Sequence, residues 1–225
     1  MAKGSVFYAY PEAFPMVRDA IRGLANENAP DGLKIQTWEK LNVLGFQIDK
    51  LIRTKIQKAD LLAADVTYPN LNVFYELGFA LAAGKPVLPT VNLATHIANE
   101  TVRKVGLLDT TGYAGYANSN ELMRKLSDWK GHSWVRNASQ KRNFAQPLFV
   151  LDTQKKTDLR NWIFHAIDES EVKYRVFDPA EVPRLTAAQA YAEVASSAGV
   201  IIPLLSKEVV DSEMHNIRAG FVLGL

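Results

Sequence analysis

The chain predicts an α/β fold made of two tandem doubly wound parallel-sheet units, the second degenerate and apparently truncated. Three observations lead there. Short apolar runs, which read as strands buried on both faces, alternate with longer segments of helical period. The alternation occurs over residues 4–130 and again over 147–225. The chain has 225 residues, 48% apolar and 22% charged, enough for one large or two small domains.

Residues 5–10 (Ser5-Val-Phe-Tyr-Ala-Tyr10) read as the first strand, followed by an amphipathic helix through Phe14, Val17, Ile21 and Leu24. Residues 34–38 form a second strand, and a long helix runs through Phe46, Ile48, Leu51, Ile52 and Ile56. Leu61, Leu62, Ala63 and Ala64 are a buried third strand ending at Asp65. Residues 67–72 have turn chemistry, and Asn72 fits a helix N-cap. From Val73 the period is helical through Phe74, Leu77 and Leu81 until Gly84, ahead of Lys85-Pro86. Strands at 86–91 and 105–108 and a helix at 120–129 complete a parallel sheet of about five strands.

The first unit is placed at 1–132, a polar linker at 133–146 and the second unit at 147–225. Strands at 148–151, 173–177 and 199–205 alternate with helices at 158–167 and 187–197, and a last helix spans 216–225. Matching Phe7 to Phe149 and Asp65 to Leu204 gives similar spacings, which suggests duplication. The second copy stops in the helix equivalent to that after Asn72, so it is either a fragment or one strand short. The residue opposite Glu76 there is Gly220 or Val222, neither able to catalyse. Glu213 and His215 fall in the turn before it, and the copy is expected to serve sensing, packing or assembly.

Net charge is +2 with the charges interspersed, which argues against nucleic acid and anionic membrane as partners. A small molecule or a protein is expected instead. The chain has no cysteine, so disulfides and thiolate chemistry are excluded. Residues after Met1 lack a signal-peptide core, and no apolar run reaches the roughly 20 residues of a membrane span, so a cytoplasmic location is expected. His96, His132, His165 and His215 have no metal-binding spacing. The glycine-containing stretch 110–120 reads as a turn, not a phosphate cradle.

Strand, polar turn and helix start meet at the carboxyl edge of the sheet, where open α/β folds bind small molecules. That places Glu76 in the first turn of a helix at this edge, where the helix dipole favours its charged form by about 0.3 to 1 kcal/mol. Tyr10 and Trp38 end two strands on the same rim. Each either stacks on a base or packs on the core. Asp65 serves either a ribose hydroxyl or the turn at Thr67. Asn72 serves as cap, ligand contact or both.

The string Asp65-Val-Thr-Tyr-Pro-Asn-Leu-Asn-Val-Phe-Tyr-Glu-Leu-Gly-Phe-Ala80, followed by Gly84-Lys-Pro86, resembles the signature of TIR-like domains and of the related nucleoside 2-deoxyribosyltransferase-like proteins. The strand opening at Val6 resembles theirs too. The resemblance covers residues 4–130 well and 147–225 faintly. It implies a flavodoxin-like sheet, cleavage of an N-glycosidic bond and a catalytic role for Glu76. Such cleavage passes through an oxocarbenium-like sugar, which a fixed carboxylate can stabilise or attack. Asn70 stands where the resembled transferases carry an acid, which counts against base transfer and leaves Asn70 a substrate-binding candidate.

Three functions are expected in turn. The first is an N-glycosidic hydrolase of NAD or a related nucleotide, as in bacterial defence effectors, with the nucleotide as substrate and no cofactor. The second is a deoxyribosyltransferase or nucleoside-monophosphate N-glycosidase. The third is a non-catalytic nucleotide-binding or scaffold module. The resemblance also implies a homo-oligomer.

Overall fold

In strand β1 (Ser5–Ala9), Val6 and Tyr8 face one side of a sheet while Phe7 and Ala9 face the other. All four are buried, the mark of a central parallel strand covered on both faces. The computed structural model describes residues 4–26, 32–41, 48–95, 105–109, 111–129, 144–182, 184–209 and 212–225. The first half continues with α1 (Pro15–Asn26), β2 (Lys34–Thr37), a short 3-10 turn at Trp38–Lys40, α2 (Ile48–Lys58) and β3 (Leu61–Asp65). It ends with α3 (Leu71–Ala82), β4 (Val87–Asn92), β5 (Ala114–Tyr116) and α4 (Ser119–Ser127). Its five strands pair in parallel in the order β2-β1-β3-β4-β5.

The second half comprises β6 (Leu148–Leu151), α5 (Asp158–Glu169), β7 (Tyr174–Phe177), α6 (Ala187–Ala195), β8 (Val200–Ile201) and α7 (Ser212–Gly224). Its sheet is also parallel, ordered β7-β6-β8, which repeats the β2-β1-β3 arrangement. The fold is thus α/β with two parallel sheets, consistent with doubly wound flavodoxin-like units. No described helix is long and apolar enough to cross a membrane.

One face of the first sheet packs on α1 and α4 through Val6, Tyr8, Val17, Ile21, Leu61, Leu122 and Leu126. The opposite face buries Phe7, Leu62, Phe74 and Leu77 in a core that runs on into the second half through Phe149, Leu151, Phe177 and Phe221. The bridge is α3 against α7, the most extensive contact between any two elements of the described residues. Glycines allow it. A Cβ on Gly78 would collide with the Phe221 carbonyl, one on Gly220 with the Leu71 carbonyl and one on Gly224 with the Tyr75 carbonyl. Gly220 and Gly224 are one helical turn apart and share a face, so two backbones come together without side chains between them.

Several sequence expectations are corrected here. Residues 105–108 are not a strand. Gly106 takes φ +77°, the left-handed region, and Asp109 N donates to Gly106 O in a turn. The fifth strand is instead Ala114–Tyr116, within the stretch expected to be a turn, where it pairs with Thr90, Val91 and Asn92. The strand expected at 199–205 pairs only at Val200 and Ile201. Beyond it, side chains of α7 take over the backbone groups. His215 Nε2 meets Pro203 O at 2.6 Å, while Asn216 donates to Leu205 O at 2.8 Å and accepts from Leu205 N at 3.0 Å. The last helix begins at Ser212, so Glu213 and His215 are helical and not in a turn. Phe7 pairs with Leu62 and Phe149 with Val200, so in register Asp65 matches Pro203, one residue before Leu204. Of the linker expected at 133–146, residues 133–143 lie outside the described residues.

Candidate active site

Helix α3 starts at Leu71, with Asn70 as its N-cap. Asn70 has an extended backbone (φ −147°, ψ 162°), and its side-chain oxygen accepts from Val73 N at 3.1 Å. The cap expected at Asn72 is therefore two residues early, and Asn72 is an exposed residue of the first turn. Glu76 consequently sits in the second turn, not the first. The helix dipole acts within the first turn, so it does not hold Glu76 charged. Burial decides instead. Glu76 is 8% exposed, and desolvation pushes its carboxyl up to about 8. Among the described residues no side chain or backbone group hydrogen-bonds to it. At neutral pH the free site therefore holds Glu76 mainly protonated, opposite to the expectation from a first-turn position.

Glu76 lines a cavity of about 580 Å³ at the carboxyl edge of the first sheet, together with Tyr10, Trp38, Asn70 and Asn72. Five of the six predicted site residues thus meet in one place, at a size usual for small-molecule sites. Tyr10, just past β1, is 4% exposed, and its hydroxyl makes no well-formed hydrogen bond among the described residues. Burial, reinforced by the nearby Glu39 carboxylate, keeps the phenol protonated far above its ordinary range. Trp38 lies in the 3-10 turn after β2, half-buried.

The same cavity has acidic and aromatic walls that the sequence did not single out. Glu12 and Asp49 line it. Each is neutralised from outside, Glu12 by Arg22 at 3.1 Å and Asp49 by Arg53 at 2.8 Å. Arg22 also pairs with Glu39, whose carboxyl it holds below the usual range. Phe14 adds a flat aromatic surface, stacked on Tyr68 with ring centroids 3.6 Å apart and planes 4° apart. Phe14 reads in sequence as one more apolar position of an amphipathic helix, and Tyr68 as a turn residue. No periodicity signals that they meet.

Asp65 does not line the cavity. It is fully buried at the end of β3, accepting from Thr67 N at 3.0 Å and from the Tyr116 hydroxyl at 2.6 Å. Burial raises its carboxyl to about 6 against the lowering effect of those bonds. Of its two expected roles, the turn is the one seen. Tyr8 and Thr90 share a 2.6 Å hydroxyl contact alongside, and Thr67 Oγ1 accepts from Asn92 N at 2.7 Å. This polar layer ties β1, β3, β4 and β5 together. Tyr116 was missed because its strand is only three residues long and reads as a turn.

Among the described residues of the second half, no carboxyl stands at the position of Glu76. In register with Tyr10 stands Asp152, 1% exposed and held by Arg160 at 2.7 Å. Gly220 is pressed on Leu71 and Val222 is buried, so neither expected counterpart of Glu76 offers chemistry. Glu213 is exposed in the first turn of α7. His215 is buried, which lowers its pKa, and it is bound to Pro203 O. Among the described residues no cluster of His, Asp and Glu could hold a metal.

No family model matches the chain. A stretch of 33 residues, 15% of this chain, is 58% identical to 5-hydroxymethyl-dUMP N-hydrolase of Rattus norvegicus. The match spans 20% of that protein's length.

Proposed function

We propose that this chain hydrolyses the N-glycosidic bond of a nucleotide, with Glu76 as its catalytic group. The observation behind this reading is a buried carboxyl without a hydrogen-bond partner among the described residues, at the sheet's carboxyl edge, in a cavity walled by Tyr10, Trp38 and Phe14. The short likeness to a nucleotide N-hydrolase supports N-glycosidic hydrolase chemistry. The aromatic wall suits a base, and the carboxyl suits the sugar carbon that becomes cationic.

The protonation state of Glu76 suggests the sequence of steps. As the bond between the anomeric carbon and the base nitrogen breaks, its electron pair leaves with the base, and the Glu76 proton passes to that nitrogen. The carboxylate so formed faces the oxocarbenium-like sugar, where opposite charge favours it. Water then adds to the anomeric carbon and gives a proton back to Glu76, which restores the starting form. A neutral leaving base needs that proton. The nicotinamide of NAD, which leaves from a cationic state, does not. The reading therefore favours a nucleoside monophosphate over NAD, and with it a metabolic role over a defence effector.

The test is base release, followed by chromatography, from separate incubations with NAD, a panel of nucleoside monophosphates and the corresponding nucleosides. Glu76→Gln keeps shape and removes the proton-donating acid. It is expected to lower the rate by at least about 100-fold, the scale seen when one preorganised stabilising group is lost. Parental rates in a folded Glu76→Gln protein would end this assignment. For a monophosphate the rate is expected to fall as pH rises through about 8. A rate that rises through that range would instead favour NAD and an ionised Glu76.

A further inference from the structure

A second cavity of about 650 Å³ adjoins the first, and Asn70 and Asn72 line both. The second half also lines it, through Lys207, Ser212 and Glu213. The starts of α3 and α7 converge there, each a helix of more than ten residues whose first amides favour an anion. Ser212 supplies an independent sign of a ligand. It is 6% exposed, lines the cavity, and its hydroxyl has no hydrogen-bond partner among the described residues. Lys207 is exposed at the rim and makes no ion pair among the described residues. Asn70 spends its side-chain oxygen on the helix cap, which leaves its amide nitrogen as a donor. Lys207, the Ser212 hydroxyl and the Asn70 amide nitrogen are thus donors in the lining of this cavity. Among the described lining residues the opposing charge is Glu213, exposed in the first turn of α7.

We infer that this second cavity binds the phosphoryl group of the substrate, and that Lys207 and Ser212 make the site select a nucleotide over the matching nucleoside. The inference rests on the proposed hydrolase reading for the position of the sugar beside Glu76. Asn70 and Asn72 then stand between base-release chemistry on one side and anion recognition on the other. The half of the chain without a counterpart of Glu76 contributes specificity to the half that holds it.

Calorimetry on the full chain with orthophosphate and with ribose 5-phosphate tests binding without catalysis. Nucleotide and nucleoside kcat/KM test selection. Lys207→Gln is expected to weaken ribose 5-phosphate binding by about tenfold and to lower the nucleotide-to-nucleoside ratio of kcat/KM by a similar factor, the scale of one charge-assisted hydrogen bond. Ser212→Ala acts in the same direction, and Glu213→Gln in the opposite one, because it removes the like charge. Lys155→Gln, the same charge change at a residue lining neither cavity, leaves the ratio as it was. Equal binding of ribose 5-phosphate by the parent and Lys207→Gln proteins, or an unchanged ratio, overturns the inference while leaving the hydrolase reading intact. Loss of ribose 5-phosphate binding in Lys207→Gln, with no base release by the parent from any substrate, keeps the anion subsite and overturns the hydrolase reading.

Discussion

Replacing Glu76 by Gln should make the protein more stable, by an amount that grows with pH. In the unfolded chain the Glu76 carboxyl titrates near 4.5, and in the folded protein burial moves it to about 8. Below the unfolded value both states hold the proton and burial costs no charge. Between the two values the unfolded state has released the proton while the folded state keeps it, so stability falls as pH rises. The slope is about 1.4 kcal/mol per pH unit for a single group. Across the interval the loss amounts to about 5 kcal/mol, reached as pH passes the folded value, with about 3 kcal/mol of it present at neutrality. Glutamine carries no such proton. Any fixed cost of the amide is the same at every pH and cancels when the pH dependence is compared. Asp65, also raised by burial, contributes equally to both proteins and cancels too. Urea denaturation of both proteins at about pH 5 and about pH 9 measures the difference. A stability gap that stays constant to within roughly 0.5 kcal/mol between those conditions would refute the buried, proton-holding Glu76 and the mechanism built on it.

Three other perturbations follow from the packing. Gly78→Ala gains about 1 kcal/mol of helix propensity but drives a methyl into the Phe221 backbone, so a net loss of about 2 kcal/mol is expected in urea denaturation. Arg160→Met strips the partner from buried Asp152 and should cost about 3 kcal/mol, with much of it recovered when Asp152→Leu is added. Tyr10→Phe removes a buried hydroxyl without a well-formed hydrogen bond, so thermal denaturation should show no loss, or a gain of up to about 1 kcal/mol, while KM for the nucleotide rises. A marked loss of stability would show that the hydroxyl serves the fold and not a ligand.

The alternation of buried strands and helical segments was legible because both periods are local. Leu61 to Ala64 read as a buried strand and form one, and the strands of both sheets are parallel as read. Glu76, Tyr10, Trp38, Asn70 and Asn72 were legible as one site because the ends of parallel strands and the start of the following helix all open on the same edge. The errors arose where two residues met the same local rule or where side chains decided. Asn70 and Asn72 both suit a cap, and only the hydrogen bond to Val73 N distinguishes them. That two-residue shift moved Glu76 out of the first turn, to a position where burial and not the helix dipole sets its charge state. Ala114–Tyr116 is too short to show a period, and its place is fixed by pairing with β4 and by Tyr116 reaching Asp65. Lys207 and Ser212 lie more than 130 residues from Asn70 and Asn72, and only the packing of α3 on α7 brings them together.

That packing has a consequence for how the molecule comes apart. Helix α3 turns one side to the core of the first sheet and gives its glycine side to α7, so neither half encloses its own interior. A boundary drawn in the sequence is then not a boundary in energy. The two halves should melt in a single transition, and the slowest amide hydrogen exchange should include α3 and α7 alongside both sheets. Residues 1–132 expressed alone should expose Gly78 and its neighbours and aggregate, whereas the same segment mixed with 147–225 should recover the fold. The chain would behave as an interlocked pair, each piece supplying a wall that the other lacks.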